Sequence, residues 1–261
     1  MVVKSDNFSY ATKPMPVMLV TGGGRGIGAA TCRLAAARGW AVCVNYRSDR
    51  ASAEAVAEGI NAGGGKAIAV QADVAQEPEV MRLFDAVDRD FGRLDCLVNN
   101  AGILETQGRL ESFDAARITR VLAANVTGTL LCAREAVKRM STRLGGQGGS
   151  IVNVSSMAAK LGGPGEYVDY AASKGAVDAF TVGLAKEVAA EGIRVNAVRP
   201  GVIYTEIHAS GGEPGRVDRV KSAVPMQRGG QPEEVARAIL FLASIESSYS
   251  SGTFLDVSGG R

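Results

Sequence analysis

Short β-branched runs alternate with longer helical stretches along nearly the whole chain, and that alternation narrows the fold to one class. Strands are expected at Pro16–Thr21, Ala41–Tyr46, Lys66–Gln71, Leu94–Asn99, Ser150–Ser155, Ile193–Val198 and Thr253–Val257. Helices are expected at Gly26–Arg38, about Ala51–Asn61, Glu77–Phe91, roughly Phe113–Leu144, about Tyr167–Glu191 and Pro232–Ser244. Pro232 sits where a helix tolerates proline, at its start. Strands such as Ile151-Val152-Asn153-Val154 are apolar on both faces, as strands covered by helices on either side must be. Right-handed crossovers then give an α/β fold, a single doubly wound parallel sheet of the Rossmann type. The glycine-rich segments Gly145–Gly149 and Gly162–Gly165 are expected as loops beside strands. No linker or repeat divides the chain, so residues 16–261 are expected to form one catalytic domain behind a loosely ordered leader, Met1–Met15.

Thr21-Gly22-Gly23-Gly24-Arg25-Gly26-Ile27-Gly28 follows the first expected strand and opens the first helix. Glycines let the backbone approach a pyrophosphate closely, and a helix N-terminus offers unpaired N–H groups and a positive dipole end. Gly24-x-Gly26-x-x-Ala29 also fits a dinucleotide pattern that is weak alone and gains force from its strand-turn-helix setting. The turn lacks the Gly-Lys-Ser/Thr ending of a nucleotide-triphosphate loop. At the end of the second strand an NAD enzyme usually carries an acidic residue for the ribose. Here the residues are Asn45-Tyr46-Arg47-Ser48, with no carboxylate before Asp49. Arg47 and Arg25 together can clamp a 2′-phosphate, which favours NADP(H) over NAD(H).

Composition removes other classes. A formal charge of +2 gives no electrostatic case for nucleic acid or a membrane surface. No apolar run reaches the length of a signal-peptide core or membrane span, so a cytoplasmic protein is the expectation. One histidine, His208, and four cysteines without a C-x-x-C pair leave zinc chemistry weakly supported. Cys32, Cys43, Cys96 and Cys132 each lie in apolar segments and read as buried free thiols. A Ser-His-Asp hydrolase would need His208, and no G-x-S-x-G elbow exists.

Several further motifs appear in order at strand ends or on the expected helix: Asp73-Val74, Asn99-Asn100-Ala101-Gly102, Asn125, Ser155-Ser156, Tyr170-x-x-x-Lys174 and Arg199-Pro200-Gly201. With the glycine turn they resemble the short-chain dehydrogenase/reductase family in its compact single-domain branch, from about Pro16 to the C-terminus. The resemblance implies a hydride transfer between a nicotinamide cofactor and a small-molecule carbonyl/alcohol pair, most simply an NADPH-dependent carbonyl reductase. The alternatives are an NAD-dependent alcohol or sugar dehydrogenase and a cofactor-binding sensor without turnover.

The resemblance also assigns roles. Tyr170 would exchange the proton, and Lys174, one helical turn on, would lower its pKa and bond the nicotinamide ribose. Ser156 would hydrogen-bond the substrate oxygen, and Asn125 would hold a water linking Lys174 to solvent. Gly22, Gly24, Arg25, Gly26, Ile27 and Gly28 would meet the pyrophosphate, and Tyr46, Arg47 and Ser48 the adenosine ribose. Asp73 and Val74 would flank the adenine. Asn99, Ala101 and Gly102 would form the adjoining turn, with Asn99 as cofactor contact or structural brace. Pro200, Gly201, Ile203 and Thr205 would meet the nicotinamide, with Thr205 alternatively capping the next helix. The Ser156–Tyr170 interval is one residue longer than the family's usual spacing, which an insertion around Glu166-Tyr167-Val168 would explain; this leaves Ser155 as the rival to Ser156. Substrate choice is expected in the loop Met157–Asp169 and in Tyr204–Arg228, the latter as a mobile lid. A homotetramer or homodimer through the long central helices is implied as well.

Overall fold

The computed structural model describes residues 15–261, so the expected leader lies, except for Met15, outside the described residues. Seven parallel strands form one sheet in the order β3-β2-β1-β4-β5-β6-β7. They are β1 Val17–Val20, β2 Ala41–Tyr46, β3 Lys66–Gln71, β4 Cys96–Asn99, β5 Gly149–Val154, β6 Ile193–Pro200 and β7 Phe254–Val257. The fully buried runs of β1, β2 and β4 match the expectation for strands covered on both faces. Strand order reverses between β2-β1 and β4-β5, and a crevice opens there at the C-terminal ends of the strands.

The helices are α1 Gly26–Ala37, α2 Arg50–Ala62, α3 Glu77–Phe91, α4 Ala115–Leu122, α5 Gly128–Met140, α6 Ala158–Leu161, α7 Val168–Val188, α8 Ile207–Ser210, α9 Arg216–Val220 and α10 Pro232–Ala243. Their ends follow local chemistry. The Asp49 carboxylate accepts from the Ser52 amide to cap α2, and Gly92, at φ 72°, lets the chain leave α3. The Glu234 carboxylate accepts from the Gln231 amide, 2.8 Å away, at the start of α10.

One expectation needs correction. The long helix at Phe113–Leu144 is interrupted: Asp114 caps α4, a π turn at Ala123–Thr127 follows, and α5 stops at Met140. The extra residue of a π turn leaves an apolar pattern nearly intact, so periodicity misses it. The lid segment Tyr204–Arg228 contains α8 and α9, each too short to carry a periodic signal of its own.

Two apolar clusters flank the sheet, one between β1, β2 and helices α1, α2 and α10, the other against α3, α5 and α7. All four cysteines are buried and unpaired. No helix among the described residues is long and apolar enough to cross a membrane.

Candidate active site

The crevice is a cavity of about 520 Å³ running from the glycine turn to the loop after β5. Gly22, Gly24, Arg25, Gly26 and Ile27 line it, and α1 begins there with no side-chain cap and no acidic residue in its first turn. Its terminal N–H groups are therefore left for an anion. Gly26 takes φ 51°, and a Cβ there would meet the Thr205 methyl at 3.2 Å. These features fit a dinucleotide pyrophosphate.

Gly28 is not among the lining residues. It is required one layer below, because a Cβ would fall 2.3 Å from the Gly22 carbonyl oxygen and 2.7 Å from Asn100 Nδ2. Overpacking against backbone has no flexible atom to yield. Gly28→Ala is expected to cost about 3 kcal/mol, or roughly 6–12 °C of melting temperature, and to weaken dinucleotide binding with it. A variant melting within 2 °C of the parent in a thermal scan (about half a kcal/mol) would contradict this packing argument.

Tyr46, Arg47, Ser48, Asp73 and Val74 line the end of the cavity beside β2 and β3. Arg25 and Arg47 are exposed there. Asp49 also lines it, but its two oxygens accept from the Ser52 amide at 3.1 Å and hydroxyl at 2.7 Å. Those Ser52 bonds hold its carboxyl below the usual range, with Arg25 adding to the effect.

After β4, Ala101 and Gly102 line the cavity, but Asn99 does not. Its amide donates to Asn153 Oδ1 at 3.0 Å and to the Thr129 carbonyl at 3.3 Å, which makes it a brace beneath the sheet edge. The residue that sequence reasoning missed is Asn100. Its Nδ2 donates to the Thr21 and Gly22 carbonyls at 2.9 and 3.0 Å and so fixes the glycine turn. Neighbouring residues at a strand end face opposite ways, and that one-residue ambiguity hid the assignment.

At the other end, Ser156, Tyr170 and Lys174 share the cavity wall. Lys174 is buried on α7, its Nζ donating to the Val154 carbonyl at 2.8 Å and standing 5.6 Å from the Tyr170 ring centre. Burial pushes the ammonium down to about 8, with Asp178 opposing. Burial also pushes the Tyr170 phenol up to about 12, and its hydrogen bond with Ser156 only partly offsets this. That direction is opposite to the lowering expected from Lys174: desolvation of the phenol dominates. Ser156 is the serine beside Tyr170, whereas Ser155 is buried and its hydroxyl faces the Lys174 carbonyl at 3.4 Å.

Asn125 lies in the π turn, outside the cavity lining. Its side chain accepts from the Ile103 amide at 2.8 Å and donates to the Ile103 carbonyl and Ser173 Oγ, each at 3.1 Å. The side chain is thus committed to protein partners, while its backbone carbonyl accepts the Thr129 hydroxyl at 2.9 Å.

Pro200, Gly201, Ile203 and Thr205 all line the cavity, and Thr205 does not cap α8, whose N-cap position is Glu206. Tyr167 meets Tyr170 edge to face, ring centres 5.7 Å apart. Glu166, in the lengthened loop, pairs with Arg216 of α9.

A parallel sheet with this strand order, a glycine turn at its switch point and a Tyr-Lys pair beside a serine defines a nicotinamide-cofactor oxidoreductase. The sequence model of a family described as enoyl-(acyl carrier protein) reductase matches residues 22–261. The uncharacterized oxidoreductase YgfF of Escherichia coli is 60% identical over 95% of this chain and 100% of its own length. A short chain dehydrogenase from Burkholderia cenocepacia, solved in complex with NADP, superposes with TM-score 0.87 at 35% identity, covering 95% of this chain and 99% of that one. A 3-ketoacyl-(acyl-carrier-protein) reductase from Brucella melitensis, complexed with NADH, gives TM-score 0.87 at 34% identity over 94% of this chain and 98% of its own. The chain belongs to the short-chain dehydrogenase/reductase family, whose fold binds a nicotinamide cofactor.

Proposed function

We propose that the protein is an NADPH-dependent carbonyl reductase, converting a small-molecule ketone, NADPH and a proton into a secondary alcohol and NADP⁺. The observation that carries this reading is that Ser156, Tyr170 and Lys174 share one wall of the cavity, with burial raising the Tyr170 phenol so that it holds a proton to give. The nicotinamide supplies the hydride. Ser156 hydrogen-bonds the carbonyl oxygen and stabilises the charge that develops on it, and the Tyr170 hydroxyl delivers the proton to that oxygen. Lys174, one of its N–H groups anchored on Val154, holds the ribose hydroxyls with the others and re-supplies Tyr170. Asn125 acts by fixing the Ile103 turn beside the proton relay.

The choice of NADP(H) rests on Asp49. The first carboxylate after β2 is tied to Ser52, which leaves Arg25 and Arg47 to meet a 2′-phosphate. The alternative, an NAD(H)-linked alcohol or sugar dehydrogenase, draws support from the Brucella relative complexed with NADH and from Asp49 lining the same end of the cavity. Fluorescence titration with both cofactors at fixed ionic strength separates the two. NADPH is expected to bind more tightly, and Arg47→Ala to weaken it about tenfold, the worth of one charge-assisted contact to phosphate, while NADH moves less than about twofold. Equal affinities, or an unmoved NADPH constant in the variant, would remove the phosphate clamp.

A further inference from the structure

We propose that the substrate chamber is built for an uncharged ketone, and that the Glu166–Arg216 pair is the specificity element that keeps carboxylate-bearing substrates out. The inference rests on the proposed reductase reading and names its substrate class. Three segments wall the chamber beside Ser156 and Tyr170: the turn after β4, the loop before α7, and the lid carrying α8 and α9. They are joined by main-chain bonds from Gly108 to Glu166 at 2.8 Å and from Gln107 to Gly211 at 3.3 Å. The side chains they present to the cavity are mainly apolar, among them Leu104, Leu161, Pro164, Tyr167 and Ile207.

From the lengthened loop and α9 the charged lining residues are Glu166 and Arg216, while Glu206 of the lid lines the cavity beside Gly26 at its cofactor end. Glu166 and Arg216 face each other through two contacts, Nη1 to Oε1 at 2.8 Å and Nη2 to Oε2 at 2.7 Å. The Arg216 side chain is 8% exposed and its guanidinium lies 5.0 Å from the Tyr167 ring centre. Arg219 also reaches Glu166, at 3.2 Å, and pairs with Glu213, which in turn accepts from Gln107. Two arginines therefore meet two glutamates, and the cluster is electroneutral. Burial works to raise the Glu166 carboxyl, but its arginine bonds outweigh that and hold it ionised. A fork already paired with a carboxylate offers no uncompensated positive charge to a substrate carboxylate, which would enter a mainly apolar chamber.

Removing the Glu166 charge changes the sum from zero to one net positive charge beside the chamber. The test compares 4-methylcyclohexanone with 4-oxocyclohexanecarboxylate, read as the ratio of kcat/KM values and as their dissociation constants from the unreactive NADP⁺ complex by calorimetry. The parent protein is expected to favour the neutral ketone by tenfold or more. Glu166→Gln is expected to move the ratio about tenfold towards the acid, as one unbalanced charge at contact range should. The double variant Glu166→Met/Arg216→Met, neutral again, is expected to keep the parent's preference. A parent that handles both compounds within about twofold, or prefers the acid, overturns the proposal without any variant having to fold. So does a folded Glu166→Gln protein with the parent's ratio. Failure to oxidise NADPH with any ketone would instead bring down the reductase reading itself.

Discussion

Tyr170→Phe is expected to lower ketone reduction about a thousandfold while leaving the NADPH dissociation constant within about threefold. A positioned acid contributes roughly 10²–10⁴ to a rate, and the variant removes only the oxygen that carries the proton. The ring that meets Tyr167 edge to face stays, as does the Lys174 anchor on Val154. Stopped-flow oxidation of NADPH with a saturating ketone, paired with a fluorescence titration, reads both quantities. A variant that keeps a tenth of the turnover would hand the proton to another group; one that binds NADPH in a parent that never turns over would favour the sensor reading. The pH profile adds a sign. With the phenol pushed up to about 12, Tyr170 remains protonated across the neutral range. The ammonium of Lys174, pushed down to about 8, is the group lost first as pH rises. The kcat/KM for reduction is expected to fall above about pH 8, and a profile flat to pH 10 would exclude Lys174 from the step.

Alkaline pH is expected to unfold the protein through its thiols. Burial raises all four, Cys96 and Cys132 to about 12 and Cys32 and Cys43 further. An unfolded thiol titrates near 8.5, so above that pH the folded state holds more protons than the unfolded one. Stability is then intact below about 8.5 and is lost as pH rises towards the folded values, at about 1.4 kcal/mol per unit for each thiol. Lys174 opposes the trend. Its folded value is depressed, so stability gains between about 8 and 10.4. By pH 10 four thiols lose about 8 kcal/mol and Lys174 returns about 3, a net loss of about 5. That is comparable with the whole stability of many domains. Urea melts under reductant from pH 7 to 10 should show it, and Cys96→Ala or Cys132→Ala should each flatten the net slope by about a third. A midpoint independent of pH would mean that the thiols titrate freely in the folded chain.

What the sequence makes legible follows from how local each signal is. Strands β2 and β3 fall where their apolar runs place them, and the glycine turn opens α1 as its spacing requires. Tyr170 and Lys174 meet the cavity because four residues on a helix bring side chains onto one face. Non-local features escape. The π turn that seats Asn125 leaves no mark on an apolar pattern, and α8 and α9 flank Gly211 and Gly212, which lie close against Leu104 and Thr106 of the turn after β4. Glu166 and Arg216 lie 50 residues apart, and nothing in either neighbourhood announces the pair. The direction of the Tyr170 shift is also non-local, since it depends on how the lid and loops shut out water.

The reversal of strand order has a bearing on birth as well as on binding. β1 takes β2 as one neighbour soon after both are made, but its other neighbour is β4, and the Val17 amide waits for the Asp95 carboxylate 78 residues along. At about 5–20 residues per second, that interval keeps one edge of β1 open on the ribosome for roughly 4–16 s. During it the nascent chain carries a bare apolar strand edge able to pair with a neighbouring polypeptide. Crowded polysomes and slow codons between these two strands are therefore where this protein is most exposed to misassembly, and where a holding chaperone would do the most for its yield.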